Sequence, residues 1–160
     1  MKTLLITSAL IACLFAIATT VSATTPPQTA IVTRITSVTE PATYTLTVTF
    51  SNINTRTGKL YIGLANDAAS FDGSSFRKTR VDVPPTGQIS VSFESLPAGK
   101  YAVRVYQDGN ENGKLDMTGQ MPNEPFGFSN VKMLMGPPSF DQSAFDLNEN
   151  KSINISLMEM

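Results

Sequence analysis

The sequence predicts an all-β fold, an antiparallel β-sandwich of about seven short strands with one long loop excursion. Three observations predict it. Tyr44–Phe50, Gln88–Phe93 and Ser152–Leu157 alternate apolar and polar residues with a period of two. Clusters of Gly, Pro, Asn and Asp punctuate the runs between them. No stretch beyond the N-terminal apolar run repeats its apolar residues at helical spacing. Strict alternation marks a strand with one face buried, and many short strands joined by turns pack as two layers.

The chain opens with Met1-Lys2 and carries no charge from Thr3 to Ala30; Leu4 to Val21 is its most apolar part. Val21-Ser22-Ala23 ends that run with small residues at the two positions a signal peptidase reads. Residues 1–23 are therefore expected to be a signal peptide cleaved after Ala23, and the protein to be exported to the periplasm or beyond the cell. Two other readings stay open. Leu10-Ile-Ala-Cys13 resembles a lipobox, which would make Cys13 a lipid anchor point, and the apolar run is near the lower limit for an uncleaved membrane span. Residues 24–43 form an N-terminal extension, rich in Thr and Pro at its start. Within it Ile31–Ile35 reads as a short strand or an extended linker. Residues 44–160 are assigned to the sandwich domain.

In Tyr44–Phe50 the residues Leu46, Val48 and Phe50 share one face and Thr45, Thr47 and Thr49 the other. A turn over Asn52–Gly58 leads to a second strand at Leu60–Leu64. Asn66–Ser75 reads as a polar loop with Phe71 as an inward anchor, and Phe76–Val83 as a third strand stopped by Pro84-Pro85. Ile89, Val91 and Phe93 share a face of the fourth strand. Leu96-Pro-Ala-Gly99 is read as a tight turn, and Tyr101–Tyr106 as the fifth strand. From Asp116 to about Ala144 there are few strand signals. Loops this long inside a domain are usually functional or disordered, and Phe126, Phe128 and Phe140 favour a packed one. Ala144–Leu147 and Ser152–Leu157 complete the set.

Once residues 1–23 are removed, 137 residues remain, enough for one domain with a real core. Lys2 leaves with the leader, so the net charge becomes −2, too near neutral for electrostatic binding of nucleic acid or an anionic membrane. The only cysteine, Cys13, lies in the leader, and the chain contains no histidine. These absences remove disulfides, thiol nucleophiles, Ser-His-Asp triads and most zinc and copper sites. Ser75-Phe-Arg-Lys78 matches S-x-x-K, but no K-T-G or S-D-N follows it. A pair of carboxylates facing across a cleft is the one hydrolytic arrangement still available. The reading is a non-enzymatic module.

The remaining ligand chemistry is that of oxygen, and it concentrates in Asp108-Gly-Asn-Glu-Asn-Gly-Lys-Leu-Asp116. In a loop of the EF-hand type, Asp108, Asn110 and Asn112 occupy the side-chain positions one, three and five. Gly113 makes the turn, Lys114 supplies a main-chain carbonyl, and Asp116 stands at position nine. Position twelve should be a bidentate acid and is Gly119. Glu124 is expected to fold back from the excursion as the substitute, giving three acids against a dication. Mixed side-chain and carbonyl oxygens at loose spacing favour Ca2+ over magnesium, with weak affinity on the order of 0.1–1 mM. The bland alternative is an Asx/Gly turn with no metal. A separate alternative is recognition of a glycan, small molecule or protein through the 117–140 loop, with Phe126, Phe128 and Phe140 lining a groove. Glu111 is expected to point to solvent, and Tyr61, Tyr101 and Tyr106 to lie in the core or on a sheet face.

Four ordered segments carry a family resemblance: Leu96-Pro-Ala-Gly-Lys-Tyr-Ala-Val103, Asp108-x-Asn-x-Asn-Gly-Lys-Leu-Asp116, Pro122-Asn-Glu-Pro-Phe-Gly-Phe-Ser-Asn130 and Gly136-Pro-Pro-Ser-Phe140. Together they resemble the secreted bacterial proteins grouped as domain of unknown function 2141, over about Tyr44 to Leu157. The resemblance implies export and a sandwich of the prealbumin or carboxypeptidase-regulatory type, and no activity; the fold class expected for the domain is a prealbumin-like or Ig-like sandwich.

Overall fold

The computed structural model describes residues 40–159. The expected leader, and the extension up to residue 39 with its Ile31–Ile35 strand, lie outside the described residues. Among the described residues no helix is long and apolar enough to cross a membrane.

Strand β1 (Thr43–Ser51) buries Leu46, Val48 and Phe50 and leaves its threonines on the outer face, as the alternation requires. Strand β2 (Lys59–Ala65) buries Leu60, Ile62 and Leu64. The loop after it contains one turn of helix, α1 (Ala68–Asp72), started by a capping box between Asp67 and Ser70. Phe71 is the buried anchor on that turn. A single turn is too short to show a helical period, so only its anchor is readable in the sequence.

Strands β3 (Arg77–Asp82), β4 (Ile89–Pro97) and β5 (Gly99–Asp108) follow. The expected tight turn over Leu96–Gly99 shrinks to Ala98, because β4 runs on to Pro97 with Leu96 fully buried. Ser95 takes a left-handed φ of 55°, and the pairing with β1 shifts register between Tyr44 and Leu46. This bulge resets the alternation, so Phe93 and Leu96 both point inward although three residues apart.

The excursion is more structured than its sequence suggests. It holds β6 (Met117–Thr118), β7 (Met121–Pro122), β8 (Phe126–Phe128) and the one-turn helix α2 (Phe140–Ser143). Strands β9 (Phe145–Leu147) and β10 (Lys151–Ser156) end the fold. Among the described residues ten strands replace the expected seven or so, because two- and three-residue pieces carry no periodicity.

One sheet has the order β10-β1-β4, and the other β3-β2-β5-β8 with β9 on the N-terminal end of β5. The core fills the space between them, with Leu46, Val48, Phe93 and Ile155 from one sheet meeting Leu60, Ile62, Val103 and Val105 from the other. Among the described residues all strand pairs are antiparallel except β1 with β10, which run parallel from Leu46↔Lys151 to Ser51↔Ser156. Alternation specifies which face a residue takes, not the direction of its neighbour, so this departure from a purely antiparallel sandwich is invisible in sequence. The sheets also touch at one edge. Phe126 and Met158 exchange two main-chain hydrogen bonds, 3.0 Å and 2.7 Å, linking β8 to the segment after β10. Gly127 makes that approach possible, since a Cβ there would lie 2.8 Å from Ile155 Cγ2.

Candidate metal centre

Strand β5 delivers the loop. Its inward row is Val103, Val105 and Gln107, and the outward neighbour of Gln107, Asp108, is fully buried where the loop folds over it. Both carboxylate oxygens of Asp108 accept main-chain N–H groups, Oδ1 from Asn112 at 3.1 Å and Oδ2 from Gly113 at 2.7 Å. Asn110 Oδ1 accepts from Asn112 N at 3.1 Å, and Asn112 Oδ1 from Lys114 N at 2.9 Å. Asp, Asn and Gly at this spacing wind the chain because each side-chain oxygen reaches the amide two to five residues on. Glu111 at φ 60° and Gly113 at φ 78° absorb the left-handed steps.

Asp116 closes the loop. Its carboxylate accepts from Asn110 Nδ2 at 2.6 Å and from Asn112 Nδ2 at 3.0 Å. Lys114 is exposed and joins the loop through its main chain.

Glu124 does fold back. Gly119, the residue at position twelve, takes φ 63° in the turn between β6 and β7, and that hairpin returns the chain to the loop. Asn123 N then donates to Asp116 O at 2.8 Å. The nearly buried Glu124 carboxylate accepts from Gly109 N at 2.9 Å through Oε1 and from Asp116 N at 3.1 Å through Oε2. It therefore spans both ends of the loop. Pro125 O accepts from Gln107 N at 2.7 Å on the other side of the same crossing.

Asp108, Asn110, Asn112, Asp116 and Glu124 are thus joined in one hydrogen-bonded unit. Among the described residues no group of three or more His, Cys, Asp and Glu side chains stands ready to hold a metal ion. A cation shell here would need the amide and main-chain oxygens as well as the carboxylates.

Neighbouring contacts that the sequence does not reveal hold the unit in place. Glu111 does not point to solvent alone; it pairs with Lys59, which also lies 3.6 Å from Asp82. The hydrogen bond to Glu111 is the main reason the Lys59 ammonium titrates above its ordinary value. Lys59 sits opposite Asp108 in the β2–β5 register, so only the pairing puts it beside the loop. Gln107 donates Nε2 to Thr55 O at 2.6 Å and Thr57 O at 2.9 Å, tying down the segment that leads to Gly58. A Cβ on Gly58, which has φ 72°, would run into the main chain of Asp108. Tyr106 stacks on Tyr61 with centroids 5.1 Å apart, and its hydroxyl reaches Gly113 O at 3.4 Å. Burial raises the Tyr106 pKa, with smaller contributions from Tyr61, Asp108 and Glu124.

A model of the bacterial family described as "uncharacterized protein conserved in bacteria", DUF2141, matches residues 48–156. The chain belongs to the DUF2141 family. The match runs from within β1 to the end of β10, so this DUF2141 domain includes both sheets, the Asp108–Asp116 loop and the whole excursion. No curated protein matches the chain, and no solved structure does.

The three phenylalanines of the excursion are placed as packing groups. Phe126 is buried, while Phe128 and Phe140 are half-buried against Phe71, with centroids 6.0 Å and 6.2 Å from its ring.

Proposed function

We propose that this protein is an exported, non-enzymatic β-sandwich module whose Asp108–Asp116 loop takes calcium as a structural ion. The observation that carries the reading is the way oxygens are used in the loop. Asp108, Asn110 and Asn112 each direct side-chain oxygen at the main chain, and Asp116 is met by both asparagine amide groups. A carboxylate or amide oxygen that accepts one N–H keeps a further lone pair. An entering cation would use those lone pairs and replace the two Nδ2 groups as the positive partner of Asp116. Glu124 would contribute charge from beneath while it bolts the two ends of the loop. Formal charge of −3 from Asp108, Asp116 and Glu124 against a flexible oxygen shell suits calcium better than magnesium.

The ion's task would be to fix the excursion against the sandwich, because the loop connects β5 directly to the β6–β7 hairpin and β8. Recognition of a glycan or protein through Phe126, Phe128 and Phe140 draws no support from their inward packing. A non-enzymatic role is supported by the missing histidine and by the confinement of the only thiol to Cys13.

Calorimetric titration of the purified protein with calcium tests the reading. Binding with a dissociation constant on the order of 0.1–1 mM, lost in Asp116→Ala, would support it. No heat above dilution at high calcium would leave the loop as a hydrogen-bonded turn.

A further inference from the structure

Glu111 stands between Asn110 and Asn112, two of the proposed calcium ligands, and takes a left-handed φ of 60°. Among the described residues it is the one non-glycine residue of the acidic loop that does so. Asparagine and aspartate reach this conformation with help from their short side chains, whereas a glutamate has no such help and needs to be held there.

That left-handed step places the loop's oxygens. It turns Asn112 N toward Asp108 Oδ1 and Asn110 Oδ1, each at 3.1 Å, and Gly113 N toward Asp108 Oδ2 at 2.7 Å. A different φ at residue 111 would swing Asn112 away from these acceptors.

The hold on Glu111 comes from outside the loop. Its carboxylate pairs with Lys59 Nζ. Lys59 is the first residue of β2 and lies opposite Asp108, the last of β5, so the sheet sets it beside the start of the loop. Its other neighbour, Asp82, is 3.6 Å away on a side chain 86% exposed, so Glu111 is the closer partner.

We propose that Lys59 is the positioning residue of the acidic loop. Through Glu111 it keeps the left-handed step and so presets the Asn110 and Asn112 oxygens for the ion. The proposal rests on the calcium reading and gives it a residue that never touches calcium. A purely electrostatic role would have the opposite sign, because an ammonium beside a cation site repels the ion and its removal would tighten binding.

Calorimetric titration of the full chain with calcium tests this, beside amide hydrogen exchange in chelator. Lys59→Met keeps the side chain's length and should weaken calcium binding by about three- to fivefold, the modest range of a partly exposed ion pair. Glu111→Gln should weaken it similarly, the double variant no further than either single one, and Lys59→Arg should bind like the parent. In chelator, Lys59→Met should speed exchange at Asn112 and Gly113 and leave Val48 and Ile62 protected. Unchanged or tighter calcium binding in Lys59→Met would overturn the proposal, as would opposite effects of Lys59→Met and Glu111→Gln. If the parent itself binds no calcium, the calcium reading fails, and exchange still decides whether Lys59 holds the loop: unchanged protection at Asn112 and Gly113 would show that it does not.

Discussion

The Glu124 carboxylate accepts the main-chain N–H of Asp116 at 3.1 Å, eight residues back along the chain, and with its other oxygen it holds Gly109 at 2.9 Å. Hydrogen bonds to a charged acceptor are worth more than neutral ones, and both of these are part-buried. Glu124→Ala should therefore destabilise the protein by about 2–4 kcal/mol, with Glu124→Gln in between. Urea denaturation measures this. An alanine variant as stable as the parent would show that the crossing is ornamental.

Phe71 plays the corresponding role for the far part of the excursion. It is 3% exposed and packs with Ala65 and Ala102 against Phe128 and Phe140. Phe71→Ala should cost about 3–5 kcal/mol through lost burial and the cavity left behind. Hydrogen exchange should show the loss of protection concentrated around α2 and β8. Uniform loss across β1 and β2 would contradict the local anchoring described here.

Tyr106 supplies a pH test. Its pKa is raised, first by burial and then by Tyr61, Asp108 and Glu124, so folding favours the neutral phenol. The associated stability is present below the unfolded tyrosine pKa and is lost as pH rises through the higher folded value. Burial also raises the Tyr101 pKa, so alkaline titration followed by phenolate absorbance should show two tyrosines ionising late, and Tyr106→Phe should remove one late step and leave that of Tyr101. If Glu124→Gln lowers the midpoint of the Tyr106 step, the carboxylate's influence on the phenol is confirmed; a rise would contradict it.

Much of this fold was legible in sequence because period-two alternation is enforced by burial. Leu46, Val48 and Phe50 face the core because their threonine neighbours face out. Pairing direction was not legible, and the parallel β1–β10 contact depends on where the C-terminal strand returns. Nor were most short elements, since α1, α2 and β6 to β8 are too brief to show a period, whereas β9 was readable at Ala144–Leu147. In the site, Asp108, Asn110 and Asn112 are readable because their spacing is local. The return of Glu124 could be anticipated from the missing acid at Gly119. The Lys59–Glu111 pair could not, because it exists only through the β2–β5 register.

Thermal unfolding of the purified protein, first in chelator and then in millimolar calcium or magnesium, tests most directly whether the Asp108–Asp116 loop is an ion site. At ten times the dissociation constant a bound ion adds about 1.4 kcal/mol. The Tm should rise with calcium, rise less with magnesium, and fail to respond in Asp116→Ala. A Tm that calcium leaves unmoved, with calorimetry at high calcium in agreement, would contradict calcium binding and leave a turn that Glu124 closes with hydrogen bonds alone.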